Sequence, residues 1–257
     1  MKHPIIEINN LSFSYQKDVK LAVLQNINIK IFENEFISVV GPSGCGKTTL
    51  LKLICGLLDH YQGDIKINGS DPLIARDNHE FGVVFQNPVL FDWRNVFNNV
   101  SLPFEIFNSK NKSSKKIDFK KSAMDMIKLV GLEEYCNVYP YQLSGGMQSR
   151  VAIARALCYR PKILLMDEPF GDLDEITRSK LNHELLNIWQ KTKCTIIFIT
   201  HNLTEAIMLS DKVVVLSERP AKIKAIIELD LERSKREENN EYKEMFHDLK
   251  HLLNIDE

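Results

Sequence analysis

Residues 41–48 read Gly-Pro-Ser-Gly-Cys-Gly-Lys-Thr, a complete G-x-x-x-x-G-K-[ST] run. The residues just before it, Phe36-Ile37-Ser38-Val39-Val40, are apolar and β-branched and predict a short buried strand. The run Lys47–Ile54 behind it predicts a helix. The glycines therefore fall in a strand-to-helix turn, the context the motif requires. Gly41, Gly44 and Gly46 let the backbone curl so that successive N–H groups point at phosphate oxygens. The helix N-terminus adds its partial positive charge. Lys47 can reach the β- and γ-phosphates, and the Thr48 hydroxyl can bind Mg²⁺. Gly41, Pro42, Ser43, Gly44, Cys45, Gly46, Lys47, Thr48 and Thr49 form the expected cradle for the phosphates of a nucleotide, with Cys45 as a small filler at a variable position.

The rest of the chain reads as an α/β fold. Strands are expected at Ile5–Ile8, Ala22–Ile31, Phe36–Val40, Asp64–Ile67, Phe81–Phe85, Ile163–Met166, Thr195–Ile199 and Lys212–Leu216. Helices are expected near Glu175–Lys191 and Asn202–Met208. Apolar strands alternating with helices imply a mostly parallel sheet covered on both faces. Between about 88 and 160 the strand runs vanish and helical spacing appears, as in Ala123, Met126, Ile127 and Val130. This predicts a helical insertion at 89–160 in a core made of 1–88 and 161–229, followed by a helical tail at 230–257. Tyr242, Met245, Phe246, Leu249, Leu252 and Leu253 recur at helical spacing and predict that the tail docks on its own domain. The polar, basic run from Asn108 to Lys116 reads as a solvated loop.

Bulk properties exclude several classes. A net charge of −1 gives no global field for nucleic acid or a membrane surface. No apolar run approaches the roughly 18 residues of a membrane span, and the start of the chain carries no secretory pattern. The five cysteines (Cys45, Cys55, Cys136, Cys158 and Cys194) form no C-x-x-C pair, which argues against zinc and for reduced thiols in a cytosolic protein.

Two further segments carry chemistry. The run Ile163–Met166 ends in Asp167-Glu168, acids at the carboxyl end of an apolar strand. Asp167 would hold Mg²⁺, and Glu168 would take a proton from the attacking water, a role worth about 10²–10⁴-fold in rate. Ser144-Gly145-Gly146 opens the helical run Val151–Leu157 and makes a second anion-binding helix start. Two phosphate cradles and one nucleotide site per chain suggest a site shared across a dimer.

In these segments the chain resembles the nucleotide-binding subunit of an ATP-binding cassette transporter, over residues 5 to about 229. Residues 41–48 match Walker A, 143–147 the signature motif, 163–168 Walker B and Gly171-Asp172-Leu173-Asp174 the D-loop. The resemblance implies a P-loop core with an N-terminal antiparallel β part and an inserted helical subdomain. It also implies that Tyr15 stacks on adenine, that Gln86 of the Q-loop binds Mg²⁺ or the attacking water, and that the switch residue His201 reaches the γ-phosphate. Lys47, Gln86, Glu168 and His201 are thus the catalytic set, and Thr48, Gln86 and Asp167 the Mg²⁺ set. Ser144, Gly145 and Gly146 would contact the nucleotide of the other subunit. Met147 stands where glutamine is commonest, and Asp172 departs from the usual D-loop.

Asp92-Trp93-Arg94-Asn95-Val96, Glu168-Pro169-Phe170-Gly171 and Leu216-Ser217-Glu218-Arg219-Pro220 are similar to one branch of that family. The branch comprises importers of nitrate, sulfonates, taurine and bicarbonate, with importers of thiamine precursors close by. The resemblance implies a homodimer at the cytoplasmic face of the membrane, working with two membrane-spanning permease subunits and an extracytoplasmic solute receptor, without nucleic acid. Two other readings carry the same motifs. One is a soluble superfamily ATPase in DNA repair or translation, which would bring coiled coils or a second cassette. The other is an exporter ATPase.

Overall fold

Alternating apolar residues at the start of the chain form β1 (Ile6–Ser14), which is longer than the expected Ile5–Ile8. The alternation breaks at Asn9 and Asn10 because the strand bulges there, with Asn10 at φ +51°, and resumes at Leu11 and Phe13. In chain order the remaining elements are β2 (Ala22–Ile31), β3 (Phe36–Val40), α1 (Lys47–Ile54), β4 (Gln62–Ile67), α2 (Pro72–Asp77), β5 (Phe81–Val84), α3 (Val96–Lys110), α4 (Phe119–Leu129), α5 (Gly145–Leu157), β6 (Ile163–Asp167), α6 (Glu175–Thr192), β7 (Thr195–Ile199), α7 (Leu203–Leu209), β8 (Lys212–Leu216), β9 (Ile223–Glu228) and α8 (Asn240–Leu253). The computed structural model describes residues 3–15, 22–110, 118–229, 233, 236 and 240–253, without the side chains of 108–110 and 240–244. Residues 108–110 of the expected basic loop continue α3, whereas 111–116 lie outside the described residues, as does the side chain of Tyr242.

The chain divides into two compact units, Met1–Phe81 with Cys194–Glu257, and Gly82–Lys193. In the first, β1 runs antiparallel between β2 and β4. A second set of strands lies in the order β7-β3-β8-β9. β3 is parallel to both β7 and β8, and every residue of β3 and β7 is buried, so their unbroken apolar runs fit strands covered on both faces. The sequence reading missed β9, an antiparallel edge strand beside β8 whose residues alternate between half-buried and exposed.

α8 lays Leu249 and Leu253 into a cluster with Leu203, Ala206 and Ile207 of α7 and Val213 and Val215 of β8. Nearby, the buried Arg236 guanidinium donates to the carbonyls of Ile207 (2.5 Å), Ser210 (2.7 Å) and Leu229 (3.0 Å). It thereby satisfies backbone oxygens at the end of α7 that have no helical partner. Burial, aided by the charge of Arg233, pushes the Arg236 guanidinium down to about 10.

In the second unit β5 lies beside β6. The helices supply its core through Val96, Val100 and Phe104 of α3, Ala123 and Ile127 of α4, and Val151 and Ala154 of α5. One-turn 3-10 helices at Glu133–Tyr135 and Pro140–Gln142 lead to α5. Asp174 caps α6 by accepting from the Thr177 N–H (2.9 Å), and Lys193 ends it at φ +53°.

Candidate nucleotide-binding site

In the first unit the G-x-x-x-x-G-K-T run connects β3 to α1, as its local pattern requires. Gly46 sits at the helix N-cap with φ +123° and ψ +14°. A Cβ at that position would lie 2.9 Å from Val23 Cγ1 and 3.0 Å from Leu24 Cδ2. Gly46 is thus required both by its backbone angle and by the strand packed against it. No side chain caps α1 and its first turn holds no acid. A helix start without an acid or a side-chain cap suits an anion.

Lys47 is only 7% exposed. Its Nζ donates to the Gly41 carbonyl (2.8 Å) and the Pro42 carbonyl (3.1 Å). Two of the three ammonium donors thus brace the loop that the lysine follows. Burial raises the Cys45 thiol above its usual range against the opposing charge of Lys47, so Cys45 is a neutral filler rather than a nucleophile.

Tyr15, at the end of β1, is brought to this loop from far along the chain. Its Oη lies 3.1 Å from Thr49 Oγ1. Its ring meets Phe13 edge-on (centroids 5.0 Å apart, planes at 84°). The ring is nevertheless 59% exposed. It is held at its edge and hydroxyl, which suits a stacking platform.

His201 follows β7, whose Ile199 pairs with Val39 of β3. The turn carrying His201 therefore leaves the same strand end as the phosphate loop. That turn is pinned on both sides. Thr200 Oγ1 donates to Glu205 Oε2 (2.5 Å) and accepts from the Asn202 N–H (3.0 Å), while Asn202 Oδ1 accepts from the Glu205 N–H (3.2 Å).

The second unit holds the other candidates. Gln86 is exposed just beyond β5. Asp167 closes β6 and is buried. Glu168 comes next at φ +46°, left-handed backbone that costs a side-chain-bearing residue about 1–2 kcal/mol. A turn from the Gly171 N–H to the Glu168 carbonyl (3.1 Å) holds it there. Strain of this kind gathers at functional positions.

Ser144 caps α5, its Oγ accepting from the Met147 N–H (3.4 Å). The two glycines that follow are small because of what packs on them. A Cβ on Gly145 would lie 3.1 Å from Leu173 Cδ2, and one on Gly146 would lie 3.0 Å from Thr177 Cγ2. The loop at 171–174 and the start of α6 therefore press directly on the Ser-Gly-Gly turn.

Arg178, which the sequence reading missed, sets the shape of that loop. Its guanidinium donates to the carbonyls of Phe170 (3.3 Å), Gly171 (3.3 Å) and Leu173 (2.7 Å). Ser149 Oγ ties α5 to the Pro169 carbonyl (3.2 Å). An arginine on a polar helix carries no signal of such a role, because its acceptors are backbone oxygens, which every residue has.

The candidates thus form two groups. Tyr15, residues 41–49 and His201 belong to one unit, and Gln86, Ser144–Gly146, Asp167 and Glu168 to the other. The Mg²⁺ candidates Thr48, Gln86 and Asp167 offer hydroxyl, amide and carboxylate oxygens, a hard-donor set that fits this ion.

The chain is similar to known proteins. The family described as ABC transporter matches residues 24–171. An uncharacterised ABC transporter ATP-binding protein of Methanocaldococcus jannaschii is 45% identical over 251 residues, covering 97% of this chain and 90% of its own length. The aliphatic sulfonates import ATP-binding protein SsuB of Bacillus cereus is 43% identical over 237 residues, covering 91% and 90%. Among solved structures, the dimeric post-hydrolysis state of an ATP-binding cassette bound to ADP and phosphate aligns with a TM-score of 0.73 at 30% identity, over 88% of this chain and all of that one. With its phosphate loop, acid-ended strand and Ser-Gly-Gly helix start, the chain belongs to the ABC transporter family as one of its ATP-hydrolysing cassettes.

Proposed function

We propose that this chain is the ATPase of an importer of small sulfonate-like anions, at the cytoplasmic face of the membrane. It would work as a homodimer on two permease subunits fed by an extracytoplasmic receptor. The observation that carries this reading is the Ser144-Gly145-Gly146 turn, a second phosphate-binding helix start pressed by the loop at 171–174, in a chain that already has one complete phosphate loop. No helix among the described residues is long and apolar enough to cross a membrane, so translocation would belong to separate subunits. The similarity to the sulfonate importer's ATP-binding protein supports the solute class. Taurine, nitrate and bicarbonate are neighbouring choices, and a thiamine precursor a more distant one.

Two copies would bind two ATP molecules between them. Lys47 and the leading N–H groups of α1 hold the β- and γ-phosphates, and Tyr15 stacks on adenine. Ser144 and the two glycines after it close on the γ-phosphate from the other subunit. Thr48, Gln86 and Asp167 would hold Mg²⁺, which when bound neutralises phosphate charge. Glu168 takes the proton from the attacking water, and His201 donates to the departing γ-phosphate. Phosphoryl transfer needs this positioning and charge neutralisation more than covalent chemistry.

Closure would move the exposed surface after Gln86 against the permease. Trp93 on that surface is 74% exposed and packs against Phe91 with ring centroids 4.9 Å apart and planes tilted by 50°. The test is ATP-driven uptake into vesicles holding this chain with its co-purifying permease and receptor, with aliphatic sulfonate, taurine, nitrate, bicarbonate and a thiamine precursor offered in turn. Uptake of a sulfonate, lost in Lys47→Ala, is the expected result. ATP hydrolysis without uptake of any of them would overturn the proposed solute class and point to an untested solute or to export.

A further inference from the structure

α5 has a second grip on the nucleotide machinery, at the end away from Ser144. Arg155 lies eleven residues beyond that cap, about 16 Å along the helix. Its Nη1 donates to the Val89 carbonyl (2.9 Å) and its Nη2 to the Pro88 carbonyl (2.7 Å). One guanidinium thus forks two consecutive backbone oxygens just after Gln86. Val89 between them has φ +45° and is 63% exposed, an apolar β-branched residue held in left-handed backbone. Burial lowers the Arg155 guanidinium below the usual arginine range, so the contact holds a cation in a place unfavourable to charge.

The next stretch is anchored differently. Asn99 of α3 is fully buried. Its Oδ1 accepts from the Phe91 N–H (2.9 Å), and its Nδ2 donates to the carbonyls of Phe91 (3.1 Å), Arg94 (2.8 Å) and Asn95 (3.1 Å). Arg94 forks Glu105 of the same helix at 2.8 and 2.9 Å. Residues 91–95 therefore belong to α3, whereas 88–89 belong to α5 through one side chain.

We infer that Arg155 is a positioning residue that makes the loop after Gln86 follow the signature helix, so that engagement of Ser144 by nucleotide is carried to the permease-facing surface around Val89. The inference rests on the transporter reading for what that surface meets, and on this chain alone for the mechanical link. α5 is one stiff element. A pull at its N-terminus moves Arg155 with it, and a two-pronged grip moves the loop without slack. Lysine, a single point donor, cannot hold both carbonyls in the same way.

The test compares Arg155→Gln and Arg155→Lys with wild type, first in the isolated chain. Amide hydrogen exchange over 86–95 is followed with and without a non-hydrolysable ATP analogue. In Arg155→Gln, exchange over 87–90 should rise about tenfold and its protection by nucleotide should vanish, while exchange over 41–55 and analogue affinity stay within about twofold. Arg155→Lys should fall between. With the permease present, stimulation of ATPase over the basal rate should drop about tenfold in Arg155→Gln while the basal rate is kept. Unchanged protection of 87–90, or accelerated exchange throughout 82–193, would overturn the inference. A wild-type chain that no permease stimulates would sink the transporter reading, while the exchange data would still decide the role of Arg155.

Discussion

Adding one methyl group to the phosphate loop at two neighbouring glycines should give very different results. Gly46→Ala puts a side chain at φ +123°, where it has no comfortable well, at about 1–3 kcal/mol. The new Cβ also lies 2.9 Å from Val23 Cγ1 and 3.0 Å from Leu24 Cδ2. Relieving such overpacking costs about another 1–3 kcal/mol. The central expectation is about 4 kcal/mol, or roughly a 10³-fold effect if all of it opposes nucleotide binding. Gly44→Ala has φ +72° and nothing within 4 Å of the added Cβ. It should cost about 1–2 kcal/mol, near tenfold in affinity.

The loop in Gly46→Ala can relax before nucleotide arrives, so the cost divides between folding and binding. Titration with a fluorescent ATP analogue gives the binding share. Thermal unfolding gives the folding share, at about 2–4 °C per kcal/mol for a chain of this size. The reasoning is refuted if the two variants weaken binding equally, or if the two shares for Gly46→Ala total less than about 1 kcal/mol.

Glu168→Gln should keep ATP binding, accumulate a nucleotide-bound dimer by light scattering and cut turnover about 10²–10⁴-fold; unchanged turnover would remove Glu168 from the base role. Tyr15→Ala should weaken ATP about 10–100-fold through lost stacking, whereas Tyr15→Phe, which gives up only the contact to Thr49, should stay within about threefold, as read by calorimetry. Asp174 supplies a pH dependence. The Thr177 backbone N–H it accepts at the start of α6 holds its carboxyl below the usual carboxylate range. A folded pKa below the unfolded one contributes stability that is present above about pH 4 and is lost as pH falls through the folded pKa. Asp174→Asn, which can still cap, should therefore flatten the acid side of a melting-temperature profile; an identical profile would assign that slope to other groups.

The candidate site was legible wherever function is written locally. A strand, three glycines, a lysine and a helix occupy consecutive residues, so the turn between β3 and α1 follows from residues 36–54 alone. The same holds for Asp167-Glu168 after β6 and for Ser144 as the cap of α5. Other features have no local signature. β9 alternates weakly along an edge, and Asn10 hides the true length of β1 behind a bulge. α2 did have one, an Asp71 cap followed by Pro72 at the first turn, which a closer reading would have found.

Three arginines are the instructive omissions. Arg155, Arg178 and Arg236 look like ordinary charged residues in sequence, yet each donates to carbonyls of a segment remote or irregular in the chain. Backbone oxygens are present at every position, so nothing in the letters says which of them an arginine will reach.

By itself the sequence determined the family and its ATP-hydrolysing class, because a phosphate loop needs particular residue types at short fixed spacings. It also determined the strand and helix periods that place those residues at element ends. Only the tertiary structure decided what packs tightly on Gly145 and Gly146, which arginine holds which loop, and that Tyr15 stands against Thr49 with its ring exposed. Those outcomes depend on which distant segments pack together. That is set by the summed burial of the whole chain and leaves no mark at any one position.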